Sequence, residues 1–182
     1  MSLFVGNAPF ARPPAGAFNF ELDLPDTVLY MEDAHRWIRA YSNGEAVVDS
    51  RRARLLHETG RLPIYHFPAG DVRMDLTEES HREESEAKGP VVFHTLEVGD
   101  ERVKDAAWLH PDPPSSAGFL KGLVAFDWHA MDAWFAEDEE MVVHPKDPYH
   151  RVDVLRTSRH IQVRVDGALL ANTRRAMVLL ET

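Results

Sequence analysis

The chain has 182 residues, 44% of them hydrophobic and 27% charged, which suffices for one domain with a sizeable core. It holds no cysteine, and this excludes a disulfide framework, a thiolate zinc site and a cysteine nucleophile together. Twenty basic side chains against 30 acidic ones give a net charge of −10, the wrong sign for sequence-independent binding to nucleic acid.

In chain order, residues 1–30 are rich in Pro, Gly and Phe and read as an extended lead-in. They lack the basic start and unbroken apolar stretch of a signal peptide. No segment reaches the roughly 20 apolar residues of a bilayer span. A soluble, cytoplasmic protein without membrane contact is expected. A complete β-domain is expected over 31–143, with short strands at 36–42, 45–49, 53–58, 62–67, 90–97, 104–109 and 121–127. Asn43-Gly44, Pro68-Ala69-Gly70, Gly99-Asp100 and Pro111-Asp112-Pro113-Pro114 supply turns between them. The charged stretch 77–86 reads as a mobile loop. Ala130, Met131, Trp134 and Phe135 form an apolar stripe that predicts one short helix over 129–138. Residues 144–150 contain two prolines and read as an extended linker.

After the linker the sequence repeats. Arg36–Thr59 aligns with Arg159–Thr182 at a constant offset of 123, without a gap, and nine of the 24 positions are identical. Ile161, Val163 and Val165 alternate with polar residues, the signature of a half-buried strand. Asp166-Gly167, like Asn43-Gly44, suits the positive φ angles of a two-residue hairpin turn. Core pattern and turn explain the apolar and Gly matches, but not the recurrence of Arg51, Arg52 and Glu58. Residues 151–182 thus read as the start of a second copy, stopping after Thr182 before its own core is complete. This hairpin is expected to dock on the first unit, to self-associate, or to be poorly packed.

These motifs together resemble the domain of unknown function 427 family in its tandem form. The resemblance rests on Asn43-Gly44, Asp49-Ser50-Arg51-Arg52-Ala53, Leu56-His57-Glu58 and Tyr65-His66-Phe67-Pro68. It extends through Asp71-Val72-Arg73, Lys88-Gly89, Ala106-Ala107-Trp108 and Gly122 to Phe126. It implies a small, mainly β, antiparallel fold of the tent-like, Mss4-like kind. Structural zinc in that fold class sits on paired cysteines, which this chain lacks, so the resemblance implies no zinc here. The family's Cys-Pro-Tyr-Lys-Gly pattern stands here as Ser85-Glu86-Ala87-Lys88-Gly89, retaining only the last two residues.

Glu58 and Lys88 are the leading ligand-binding candidates, as an acid/base pair or a grip on a polar group, with Tyr65 and Trp108 as walls. An ordinary surface ion pair is the competing reading of Glu58. Arg51 and Arg52 are further candidates, because guanidinium forks take carboxylates or phosphates bidentately. The histidines show neither helical i, i+4 spacing nor a His-x-His strand pair, so no metal is expected. No serine sits in a Gly-x-Ser-x-Gly elbow, and nothing in the sequence asks for a cofactor. Three functions follow: binding of a small polar or anionic ligand, a non-catalytic interaction module, and an enzyme of unknown reaction. A nucleotidyltransferase label has been attached to the resembled family. The chain shows neither a Gly-Ser phosphate loop with a paired Asp-x-Asp nor a Walker-type loop to support it.

Overall fold

A computed structural model describes residues 3–4, 8–149, 152–157 and 159–181. Two compact units divide the chain, Met1–Lys146 and Asp147–Thr182. The described part of the first unit holds β1 (Leu29–Asp33), β2 (Ile38–Ser42), β3 (Glu45–Ser50), β4 (Arg54–Glu58), β5 (Ile64–Pro68) and β6 (Thr77–Ser85). It continues with β7 (Gly89–Val98), β8 (Glu101–Leu109), β9 (Leu123–Phe126), β10 (Ala133–Ala136) and β11 (Glu139–Met141). All pairings are antiparallel. One sheet has seven strands in the order β1-β4-β5-β9-β8-β7-β6, and the other has four in the order β11-β10-β2-β3.

Alternation along the strands builds the core. In β2, Ile38 and Ala40 are fully buried while Arg39 and Tyr41 are only half-buried. Asn43 and Gly44 take φ angles of 45° and 77°, the twisted turn that joins β2 to β3. Residues from both sheets form one cluster, with Phe67, Ile38, Leu96, Val47 and Val124 almost wholly excluded from water and Trp134 at 3% exposure. Each such side chain contributes roughly 1.5–3 kcal/mol by burial. Leu55 belongs to this cluster. Its neighbour Leu56 points the other way and packs on Ala117 and Leu120, from the 3-10 segment Ser115–Leu120. β4 is therefore covered on both faces, which accounts for its unbroken apolar run.

Three segments depart from the sequence reading. The charged stretch expected to be a loop is β6, a nine-residue edge strand paired along its length with β7. Its side chains alternate between two wet surfaces, so no apolar period betrays it, and its charges discourage pairing with a further strand. The helix expected over 129–138 is not formed. Trp128–Ala130 makes one 3-10 turn, started by the Asp127 carboxylate accepting from His129 N at 2.8 Å, and Ala133–Ala136 is a strand beside β2. Trp134 and Ala136 face the core and Phe135 does not, a period of two that the short stripe concealed. The acidic run is a turn at Glu137, φ 52°, followed by β11. The lead-in ends earlier than expected, because Leu29–Asp33 pairs with β4.

The second unit holds β12 (Val152–Thr157), β13 (Ile161–Val165), β14 (Ala168–Thr173) and β15 (Ala176–Glu181), paired β12 with β15 and β13 with β14. Its registers equal those of β1–β4 and β2–β3 displaced by 123. Leu29 opposes Glu58 and Val152 opposes Glu181; Ile38 opposes Ser50 and Ile161 opposes Thr173. Both inner hairpins shift register at the equivalent step, after Ala40 and after Val163. Side-chain statements about Glu181, and any about Thr182, lie outside the described residues, so the recurrence of Glu58 and Thr59 is seen only in sequence. No helix among the described residues is long and apolar enough to cross a membrane.

Candidate functional site

Register places the site on the face of the seven-stranded sheet that turns away from the main core. Arg54, His66, Ala125, Trp108, Phe93 and His81 oppose one another in turn across β4, β5, β9, β8, β7 and β6. Directly opposed residues share a face, so His66, Trp108 and Phe93 line one surface. Glu58 lies four residues along β4 on one side of this row. Lys88 lies five residues before Phe93, on the other side. They occupy diagonal corners of the sheet, and its twist and coil carry those corners toward each other.

The corners meet. Lys88 Nζ donates to Glu58 Oε2 at 2.8 Å, with the two side chains only 14% and 10% exposed. Arg61 Nε stands 3.4 Å from the other carboxylate oxygen. Lys88 is placed by its own turn: its N–H donates to Ser85 Oγ at 3.3 Å, and Gly89 follows with φ 72°. A Cβ on Gly89 would come within 3.0 Å of Pro114 Cδ and 3.1 Å of the Asp112 carbonyl. Lys88-Gly89 is thus a unit in which the glycine's missing side chain lets the lysine reach across.

Around this pair lies a cavity of about 380 Å³, whose walls include Trp108, Phe93, His66 and His110. This is within the usual range for small-molecule sites. His66 Nδ1 donates to the Ile64 carbonyl at 3.2 Å, and His110 Nδ1 donates to the Pro90 carbonyl at 3.1 Å. A carbonyl oxygen only accepts, so each Nδ1 carries the proton and each Nε2 keeps a lone pair. Burial pulls the pKa of His66 down to about 4, with the neighbouring His110 and Lys88 pulling the same way against the Ile64 hydrogen bond. Burial also lowers that of His110. Both imidazoles are neutral near pH 7. Among the described residues, no group of three His, Asp or Glu is arranged to hold a metal ion.

Of the six candidates, the structure brings together Glu58, Lys88 and Trp108. Tyr65 is corrected. It neighbours His66 in a strand and so faces the opposite side, where it is 4% exposed in the core with its hydroxyl 3.8 Å from Met141 Sδ. Burial pushes its pKa up to about 12. Tyr65 borders a second hollow of about 230 Å³, mostly apolar, which shares Trp108 and Ile64 with the polar cavity. Arg51 and Arg52 are corrected too, since they occupy the bend after β3 rather than the cavity. The Arg51 guanidinium lies 4.8 Å over the Trp37 ring. Arg52 grips Asp71 through two nitrogens, and Ser50 Oγ donates to Asp71 Oδ2 at 2.7 Å. The guanidinium and the hydroxyl hold this carboxyl below its ordinary pKa. Arg52 N–H also donates to Ser50 Oγ at 3.1 Å, as Arg175 N–H does to Thr173 Oγ1 at 3.0 Å. The recurrence of Ser/Thr-Arg-Arg has a local structural cause, a side chain that closes the bend.

Sequence reasoning missed Arg61 and Phe93, and weighed His66 and His110 only as metal ligands. The available signal was the alternation of Ile64 through Pro68, which puts His66 and Tyr65 on opposite faces.

The first unit is thus an antiparallel, mainly β domain with a half-enclosed polar cavity on the outer face of its larger sheet. A family model described as a domain of unknown function (DUF427) matches residues 30–137 and 153–182. The chain belongs to that family. No curated protein matches it.

Proposed function

We propose that the first unit binds a small polar or anionic molecule in the cavity between Glu58, Lys88 and Trp108. The observation that carries this reading is the Lys88–Glu58 pair, held nearly out of water beside two buried histidines whose Nε2 atoms accept no hydrogen bond among the described residues. Removing charges and polar groups from water is costly unless something is gained. A core residue at each of these positions would serve stability as well, so the arrangement favours a ligand. A cytoplasmic location, and the reading of residues 151–182 as a repeat of the opening strands of the first unit, belong to the same proposal; the shared register supports the latter.

The test is a thermal-shift screen of sugars, polyols, carboxylates, nucleotides and sugar phosphates, because a molecule that binds only the folded state raises its melting point. At least one class should raise Tm, and Glu58→Gln should abolish the rise. If every compound at millimolar concentration leaves Tm unchanged, the proposal fails.

A second reading rests on a different observation. In the second unit Val163, Leu170 and Leu179 are 47%, 66% and 66% exposed, whereas their counterparts Ala40, Val47 and Leu56 are at most 3% exposed. Exposed apolar strands of this kind suit an interaction module.

A further inference from the structure

The charge count of the cavity narrows its ligand. Its walls carry the carboxylates of Glu58 and Glu83 against two cations, Arg61 and Lys88, while Glu84, next to Glu83 in β6, turns its side chain to the other face. Both cations already face Glu58, at 3.4 and 2.8 Å. An entering anion would find no excess of positive charge and would have to displace Glu58 from Lys88 or Arg61.

The histidines point the same way. With each Nδ1 committed to a backbone carbonyl, Nε2 can only accept. A phosphate dianion or a carboxylate has no proton to give it, so lone pair would face lone pair. A hydroxyl can donate to Nε2 or to a carboxylate and can also accept from Lys88, whose ammonium uses one of its three donors on Glu58. An amine could donate as well, but it would lie beside Lys88 and Arg61. Trp108 adds an aromatic face beside Phe93, their ring centroids 6.4 Å apart and their planes inclined at 45°, while one face of Phe93 is taken by the His81 ring stacked at 4.6 Å. Such a face suits the C–H side of a ring whose edge carries hydroxyls.

We infer that the cavity is built for a neutral, polyhydroxylated ring, a sugar or cyclitol, rather than for an anion. This rests on the reading of the cavity as a ligand site and specifies its chemistry.

The experiment is saturation-transfer NMR and calorimetry on the whole chain with five probes: methyl α-glucoside, myo-inositol, gluconate, glucose 6-phosphate and glucosamine. A neutral probe should bind about tenfold or more tightly than either anion. Trp108→Ala should weaken it by about tenfold, and Phe93→Leu provides a second aromatic deletion should Trp108→Ala lose its fold. Lys88→Gln, which removes a charged donor to the ligand hydroxyl, should weaken neutral binding by about tenfold without abolishing it. Tighter binding of gluconate or glucose 6-phosphate, abolished by Lys88→Gln, overturns this inference and leaves the cavity as a ligand site. Preferential binding of glucosamine does the same. Failure of all five probes to bind overturns the inference, and the broader screen described above then decides whether the cavity is a ligand site at all.

Discussion

Lys88 Nζ lies 2.8 Å from Glu58 Oε2, although the two residues stand at diagonal corners of the seven-stranded sheet. The bond ties the two corners together in the wall of the cavity. Because both side chains are nearly buried, removing one partner strands a charge. Lys88→Met should destabilise the unit by about 2–3 kcal/mol, less than the 3–5 kcal/mol of a fully buried pair because Arg61 still faces Glu58. A double-mutant cycle with Glu58→Gln, followed by urea unfolding, should give a coupling of about 1–3 kcal/mol. Additive effects would show that the pair contributes no interaction of its own.

Gly89 is required by space and by backbone angle together. Gly89→Ala should lower stability by about 1–3 kcal/mol, since it forces a Cβ onto Pro114 at a φ of 72°. The same change should weaken any ligand that Lys88 touches. Gly44→Ala, also at positive φ but with nothing within 4 Å, should cost less.

Acid should loosen the fold through the cavity histidines. The pKa of His66 is depressed from an unfolded value of 6.5 to about 4, so its neutral form is favoured in the fold. Its contribution is complete above pH ~6.5 and is lost as pH falls from about 6.5 toward about 4, amounting to roughly 3 kcal/mol over the window. His110 shifts in the same direction. Asp71, whose pKa is lowered, loses its contribution only below the ordinary carboxylate range. Urea midpoints measured from about pH 7.5 to about 4.5 should fall, and His66→Gln should flatten the decline. A midpoint independent of pH over this range contradicts the assignment.

The clamp on Asp71 is structural and separate from the cavity. Ser50 is buried and joins Asp71 to the Arg52 backbone. Ser50→Ala should cost about 1–2 kcal/mol, the loss of the two hydrogen bonds its buried hydroxyl makes to Asp71 and the Arg52 N–H. Ligand affinity should not change. Tyr65→Phe should likewise leave affinity unchanged, because its hydroxyl meets Met141 on the core side of the sheet and not the cavity.

Much of this was legible before folding. The Asn43-Gly44 and Asp166-Gly167 turns and most strands of the first unit follow from alternation, turn chemistry and the repeat, and Lys88 became a candidate beside Glu58 through the family resemblance. β6 was hidden because an edge strand wet on both sides carries no apolar period. β10 was hidden because Trp134 and Phe135, adjacent in sequence, fit a helical stripe as well as opposite faces of a strand. Arg51 and Arg52 misled because their recurrence has a local cause, a side-chain bond across the bend, that mimics the signature of a site. His66 and His110 meet only through long-range register, which one sequence does not reveal.

The most direct test of the cavity reading is an NMR titration that follows the indole Nε1–H signals of Trp37, Trp108, Trp128 and Trp134 together with the histidine rings. A ligand from the screen should move Trp108, His66 and His110 in parallel and leave Trp37 in place. If a bound ligand shifts Trp37 and leaves Trp108 and both histidines unmoved, the site lies elsewhere and the account is wrong.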